Sequence, residues 1–255
     1  MVIEGKVAII TGGASGLGEA CTRMLHKEGA YVAIFDIKVD QGEDIARELG
    51  KKAIYCNTDV TREESCKESM DKVVTTFGHV DILINCAGIA VAEKVISKKG
   101  LMSMENFTRA IQVNLIGSMN TIRLAVAEMI KNEGDKDREK GVIINTASIA
   151  AFEGQIGQVA YSASKGGIVG MTLPLAREFA DYGVRVMTIA PGIFDTPMLA
   201  GLPEKAKASL SASVPFPKRL GKPEEYAQLA KHIIENPMLN GEVIRLDAAL
   251  RLAPR

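Results

Sequence analysis

Thr11-Gly12-Gly13-Ala14-Ser15-Gly16-Leu17-Gly18 follows directly on the apolar run Val7-Ala8-Ile9-Ile10 and leads into an amphipathic stretch, Gly18–Glu28. The glycines at 12, 16 and 18 let the backbone turn tightly and approach a pyrophosphate closely. The helix start behind them offers free N–H groups and a partial positive charge. A glycine string alone is a weak signal, but one set between a strand and a helix at the head of a βαβ unit has the required context. Asp36 follows the next apolar run, 18 residues after Gly18, where a carboxylate can bond both ribose hydroxyls and repel a 2′-phosphate. NAD is therefore expected rather than NADP, with Gly12, Ser15, Gly16, Leu17, Gly18 and Asp36 facing it.

Outward from this loop the pattern repeats. Short β-branched runs are expected as strands at 7–10, 31–35, 52–56, 82–85, 142–146, 185–189 and 243–246. Helix-like stretches at 40–49, 62–77, 104–130, 160–181 and 223–235 lie among them. Seven continuously apolar strands with helical crossovers predict an α/β fold, a doubly wound Rossmann sheet, parallel and covered on both faces. No repeat and no Pro- or Gly-rich linker divides residues 1–255, so a single domain is expected. Two segments break the rhythm. Residues 131–140 (KNEGDKDREK) carry eight charges in ten positions and read as a solvated helix end and loop. Residues 192–221 lack a strand, hold four prolines and read as a substrate loop.

A chain of 255 residues buries roughly 70–75% of its unfolded surface and needs no disulfides to hold a core. Lys plus Arg and Asp plus Glu both number 31, which argues against nucleic-acid or anionic-membrane partners. No apolar run approaches the ~18 residues of a membrane span. Cys21, Cys56, Cys66 and Cys86 form no C-x-x-C pair, and His26, His79 and His232 lie far apart, so no metal site is expected. Free thiols in a reducing compartment fit better. The strand-like run at Val7 leaves little room for a leader, and a cytoplasmic location is the expectation.

The G-x-x-x-G-x-G spacing at Gly12, Gly16 and Gly18 is joined by Asn85-Cys86-Ala87-Gly88, Asn114, Ser148, Tyr161-x-x-x-Lys165 and Pro191-Gly192. Together these resemble the short-chain dehydrogenase/reductase superfamily over essentially the whole chain. Asp59-Val60 matches the family's adenine-contacting pair, and Cys86 departs from the commoner Asn. The stretches at 146–155, 187–192, 214–217 and 239–247 look like the type II short-chain 3-hydroxyacyl-CoA dehydrogenases, also called type 10 hydroxysteroid dehydrogenase. That branch oxidises short and branched 3-hydroxyacyl-CoA esters. Ala248 stands where it usually has glycine, and the substrate loop differs around Asp195 and Met198. The resemblance further implies nucleotide contacts from Asn85, Cys86, Ala87, Gly88, Pro191 and Gly192. It also implies a homotetramer built on the helices at 104–130 and 160–181 and on the last strand; a mixed assembly with a related subunit stays open.

Tyr161 and Lys165 are four apart on an expected helix and share a face. A phenol of pKa ~10 is a poor base at neutral pH, and a neighbouring ammonium favours its phenolate. Tyr161 is the expected general base for alcohol oxidation and general acid for the reverse. Lys165 lowers that pKa and bonds the nicotinamide ribose. Ser148 holds the substrate oxygen, and Asn114 in the family holds a water linking Lys165 to solvent. Gln155 is expected to position substrate. Phe194 and Thr196 meet the nicotinamide carboxamide, and Met198, Leu199 and Leu202 offer apolar surface to an acyl chain. The expectation is an NAD-dependent 3-hydroxyacyl-CoA dehydrogenase. A hydroxysteroid or other secondary-alcohol dehydrogenase is the alternative, and a non-catalytic scaffold subunit fits less well because Asn114, Ser148, Tyr161 and Lys165 are all present.

Overall fold

The computed structural model describes residues 1–98, 100–200 and 204–254. Its strands are β1 (Val7–Thr11), β2 (Tyr31–Asp36), β3 (Ala53–Asn57), β4 (Ile82–Asn85), β5 (Ile96–Ser97), β6 (Gly100–Leu101), β7 (Gly141–Thr146), β8 (Val184–Pro191) and β9 (Val243–Leu246). The helices are α1 (Gly16–Lys27), α2 (Val39–Leu49), α3 (Glu63–Phe77), α4 (Met104–Ile111), α5 (Gly117–Met129), α6 (Val159–Ala180), α7 (Pro197–Ala200), α8 (Glu204–Ser213) and α9 (Pro223–Glu235).

Seven of the strands form one sheet in the order β3-β2-β1-β4-β7-β8-β9, and every pairing in it is parallel. The side-chain period of two sorts the apolar runs onto two faces. Ile10, Ile84 and Ile144 pack with Leu25, Tyr226 and Ile233 from α1 and α9. Ile9, Leu83 and Ile143 pack with Met70, Ile122, Leu175 and Phe179 from α3, α5 and α6. Burial on both faces is why the central runs read as unbroken rather than alternating. β9 closes one edge and is only half-buried along its length. Among the described residues no helix is long and apolar enough to cross a membrane.

Three segments differ from the sequence expectation. The single helix expected over 104–130 is two, α4 and α5, joined by a wide π-type turn at Gln112–Ile116. Such a turn accommodates an extra residue; here it holds fully buried Asn114, whose side chain pairs with the backbone of Ile89 in both directions. The described part of residues 192–221, read as a strandless substrate loop, adds two helices, α7 and α8, and a bridge between Phe194 and Gly221. The charged run 131–140 is not wholly solvated. Glu139 is buried and pairs with Arg185, whose guanidinium also caps the carbonyls of Ile233 and Ile234 at the end of α9.

Candidate active site

The sheet order reverses between β1 and β4, and ligands of such sheets bind in the crevice beyond the carboxyl ends there. The glycine loop fills this position. Gly12 takes φ +65°, and a Cβ on it would come within 2.8 Å of the Ala87 nitrogen. A Cβ on Gly18 would fall on the Gly12 carbonyl oxygen, so α1 reaches the loop only because no side chain intervenes. Gly16 takes φ +56° and faces Thr196 and Pro197 at 3.5 Å, bringing the start of the 192–221 segment against the loop. Ser15 precedes α1 in extended conformation and makes no side-chain cap. The first-turn N–H groups are thereby left for an anion. Ser15 Oγ instead accepts from Lys38 Nζ at 3.1 Å, and Leu17 packs on the core below.

Asp36 is buried against this loop. Its Oδ2 accepts from the Ala14 N–H and its Oδ1 from the Lys38 N–H, both at 3.0 Å. Asp59 Oδ1 accepts from the backbone and hydroxyl of Thr61, at 3.0 and 2.7 Å. Val60 is buried beneath Gly117, where a Cβ would lie 2.6 Å from Val60 Cγ2. A bare loop, an anion-ready helix end and a buried carboxylate fit a dinucleotide: Gly12–Gly18 would cradle its pyrophosphate, Asp36 its adenosine ribose.

Asn85 departs from the expectation of a direct nucleotide contact. Its buried side chain accepts from Thr11 Oγ1 and Thr121 Oγ1 at 3.3 and 2.7 Å and donates to Asn145 at 3.0 Å. It ties β1, β4, β7 and α5 together, and the free backbone of the next residues follows. Thr11 Oγ1 accepts from Ala87 N at 3.1 Å. The Cys86 sulfur turns into the core toward Thr146 and Tyr226. A hydrogen bond with Cys21 lowers the Cys86 thiol, while burial raises that of Cys21. Thr11, Thr121 and Asn145 carried no motif signal, except that Thr11 opens the glycine stretch.

Ser148 leaves β7 in extended conformation and its Oγ accepts from the Ala150 N–H at 3.1 Å, opening a single turn at Ile149–Ala151. α6 then carries Tyr161 and Lys165 one turn apart. Ser148 lies near enough to the Tyr161 phenol to favour its ionised form, and Lys165 Nζ lies 5.9 Å from the Tyr161 ring centroid. Lys165 Nζ donates to the Thr146 carbonyl at 2.8 Å. Asn114 Nδ2 donates to Ser164 Oγ at 2.9 Å, which donates to the Tyr161 carbonyl at 2.7 Å. A Cβ on Gly88 would come 3.2 Å from Asn114 Oδ1 and 3.5 Å from Lys165 Nζ. The missing side chain lets the backbone at Gly88 close on Asn114 and Lys165, both of them buried.

The electrostatics correct one expectation. Burial raises the Tyr161 phenol above its ordinary value, and Ser148 offsets only part of that. Burial also lowers the Lys165 ammonium to about 8. The protein alone therefore holds Tyr161 protonated at neutral pH.

On the substrate side the expected residues are dispersed. Gln155 does not stand free, because its amide donates to the Ala253 carbonyl at 2.9 Å. Phe194 is a core side chain against Gly221 and offers the crevice only backbone. The Thr196 hydroxyl lies near the Phe194 carbonyl. Pro191 ends β8, and Gly192 donates to Leu246 at 2.9 Å. Met198 is exposed and Leu199 half-buried, while Leu202 lies outside the described residues. A cavity of about 430 Å³ runs beside the segment joining Ser148 to Tyr161, lined by Glu93, Val95, Phe152, Gln155, Ile156 and Ser162 among others. Its wall does not include Ser148 or Tyr161.

A dinucleotide cradle beside a Ser–Tyr–Lys–Asn cluster, on a doubly wound sheet, defines an oxidoreductase that uses a nicotinamide cofactor. The chain belongs to the short-chain dehydrogenase family, whose model matches residues 6–207. It is 55% identical over 254 residues to the 3-hydroxyacyl-CoA dehydrogenase type-2 of Homo sapiens, covering 99% of this chain and 97% of that one. The crystal structure of 3-hydroxyacyl-CoA dehydrogenase type-2 from Mycobacterium avium superposes with TM-score 0.93 at 41% identity, covering 98% of each chain. That of 3-ketoacyl-(acyl-carrier-protein) reductase from Brucella melitensis, complexed with NADH, does so with TM-score 0.87 at 30% identity, covering 98% of this chain and all of the other.

Proposed function

We propose that this protein oxidises a 3-hydroxyacyl-CoA, short, branched or aromatic in its acyl part, to the 3-oxoacyl-CoA with NAD. The Tyr161–Lys165 pair on one turn of α6, with Ser148 beside the Tyr161 phenol, carries the chemistry, and the 55% identity to the human dehydrogenase supports the substrate class. Asp36 supports NAD, since a 2′-phosphate would meet a buried carboxylate already fixed by two N–H donors.

Ser148 Oγ holds the 3-hydroxyl beside the Tyr161 phenol. Tyr161 takes the hydroxyl proton as the C–H bond at carbon 3 breaks, and Ser148 stabilises the charge on oxygen. NAD, held by the Gly12–Gly18 loop and Asp36, would supply the hydride acceptor. Lys165 bonds the nicotinamide ribose and Asn114 holds the water that relays the proton onward. Because burial keeps the phenol protonated, deprotonation of Tyr161 by alkaline pH favours oxidation and slows the reverse reduction.

Ile116, Met119 and Leu173 expose apolar side chains on the helices between residues 104 and 180, and the β9 edge is open. Both features support a homotetramer, with a mixed assembly the alternative. Buried free thiols support a cytoplasmic, reducing location. The test is absorbance of reduced nicotinamide with NAD or NADP, using 3-hydroxybutyryl-CoA, 2-methyl-3-hydroxybutyryl-CoA, an aryl hydroxyacyl-CoA and a steroid alcohol. The expected result is turnover of a CoA ester with NAD, lowered at least ~10²-fold by Tyr161→Phe. Turnover of the steroid alone, or preference for NADP, overturns the reading.

A further inference from the structure

Arg245, on the edge strand, makes an unusual set of contacts. Its Nη1 and Nη2 grip both oxygens of Glu153 at 2.7 and 2.8 Å, its Nε bonds Asp247 at 2.7 Å, and its guanidinium stacks on Phe152 at 5.1 Å. Arg251 adds a second cation to Asp247 at 2.9 Å. The fork holds the Glu153 carboxyl below its usual range. Phe152 and Glu153 belong to the segment that joins Ser148 to Tyr161, so one side chain anchors the span between them.

The same guanidinium fixes the tail beyond β9. Asp247 Oδ1 accepts from the Ala249 N–H at 3.0 Å. Ala248 and Ala249 adopt φ +51° and +63°, a conformation that disfavours side chains. The tail then returns to the segment: Leu250 is buried with Ile149 and Val214. Gln155 donates to Ala253 at 2.9 Å and the Ile156 N–H to Pro254 at 3.0 Å. Gln155 and Ile156 also line the 430 Å³ cavity. Strained backbone persists where its surroundings over-determine it, and here the surroundings are the ion pairs on Arg245.

We propose that Arg245 is a positioning residue: it locks residues 149–158 and the 248–254 tail into one wall of the cavity beside the Ser148–Tyr161 segment, and through that wall sets affinity for the acyl-CoA. This rests on the substrate reading above but makes a claim that can be measured without substrate. In Arg245→Gln the wall loosens while the nucleotide side stays intact. Hydrogen exchange over 149–160 quickens at least tenfold, with peptides from β1 and β4 unchanged. The KM for the acyl-CoA rises about tenfold, kcat changes less than twofold, and the Kd for NAD is unaltered. Glu153→Gln does the same, and the double variant is no worse than either single one, as expected for a shared contact. Arg245→Lys recovers part of the affinity. Unchanged exchange over 149–160, or exchange raised uniformly across the chain, overturns the proposal. So does an unchanged KM in a protein whose wild type turns over the ester. Failure of the wild type with every ester sinks the substrate reading alone, and the exchange result still decides the wall.

Discussion

Around Gly12 the decisive contacts are between backbones: a Cβ at Gly12 would meet Ala87, and one at Gly18 would meet the Gly12 carbonyl. Around Gln155 they are between partners 92 and 98 residues apart, Arg245 with Glu153 and Gln155 with Ala253. The glycine-loop side of the crevice is built by excluding side chains, the 149–158 segment by pairing them. Exclusion leaves little tolerance, because interiors are packed too densely to absorb an added methyl group. Pairing at a half-exposed surface costs less to disturb and can be retuned.

The sharpest way to break that contrast is Gly18→Val. The added side chain collides with the Gly12 carbonyl, so NAD affinity measured by calorimetry falls more than 100-fold while the sheet still forms. A fall of less than tenfold would mean the loop is as adaptable as the 149–158 segment.

Lys165→Met is next in size. Burial lowers the ammonium to about 8 from an ordinary 10.5. The folded state therefore binds fewer protons than the unfolded chain between those values, and stability rises with pH across that window. Below pH 8 the burial penalty is fully present. The variant is expected to be inactive yet more stable at pH 7, by on the order of 2 kcal/mol in urea titrations. Its advantage should shrink as the pH climbs from 8 to 10.5. A variant less stable at pH 7 would contradict the desolvation argument.

The smallest effect belongs to the tail beyond β9. Ala248 at φ +51° is strained as alanine is but glycine is not, so Ala248→Gly should stabilise by about 1 kcal/mol. Destabilisation would show that the tail's conformation is not strained there.

Legibility follows the same division. Val7–Ile10 with its glycines, Asp36 and the Tyr161–Lys165 spacing are local patterns, and local patterns placed the sheet and the catalytic face. Asn114 is legible as a residue but not as the occupant of a wide turn, because its partner Ile89 lies 25 residues away. Nothing near Gln155 in sequence announces its bond to Ala253. Glu139 reads as one charge in a polar run until Arg185 is beside it. What escaped the sequence is what distant side chains decide.

The central claim is direct hydride transfer from carbon 3 of a hydroxyacyl-CoA, with Tyr161 taking the proton. Its most direct test is mass spectrometry of the NADH formed from 3-hydroxybutyryl-CoA carrying deuterium at carbon 3, with wild type and Tyr161→Phe side by side. The account predicts NADH heavier by one deuterium from the wild type and almost none from the variant. Unlabelled NADH, or labelled NADH formed equally fast by the variant, would contradict it.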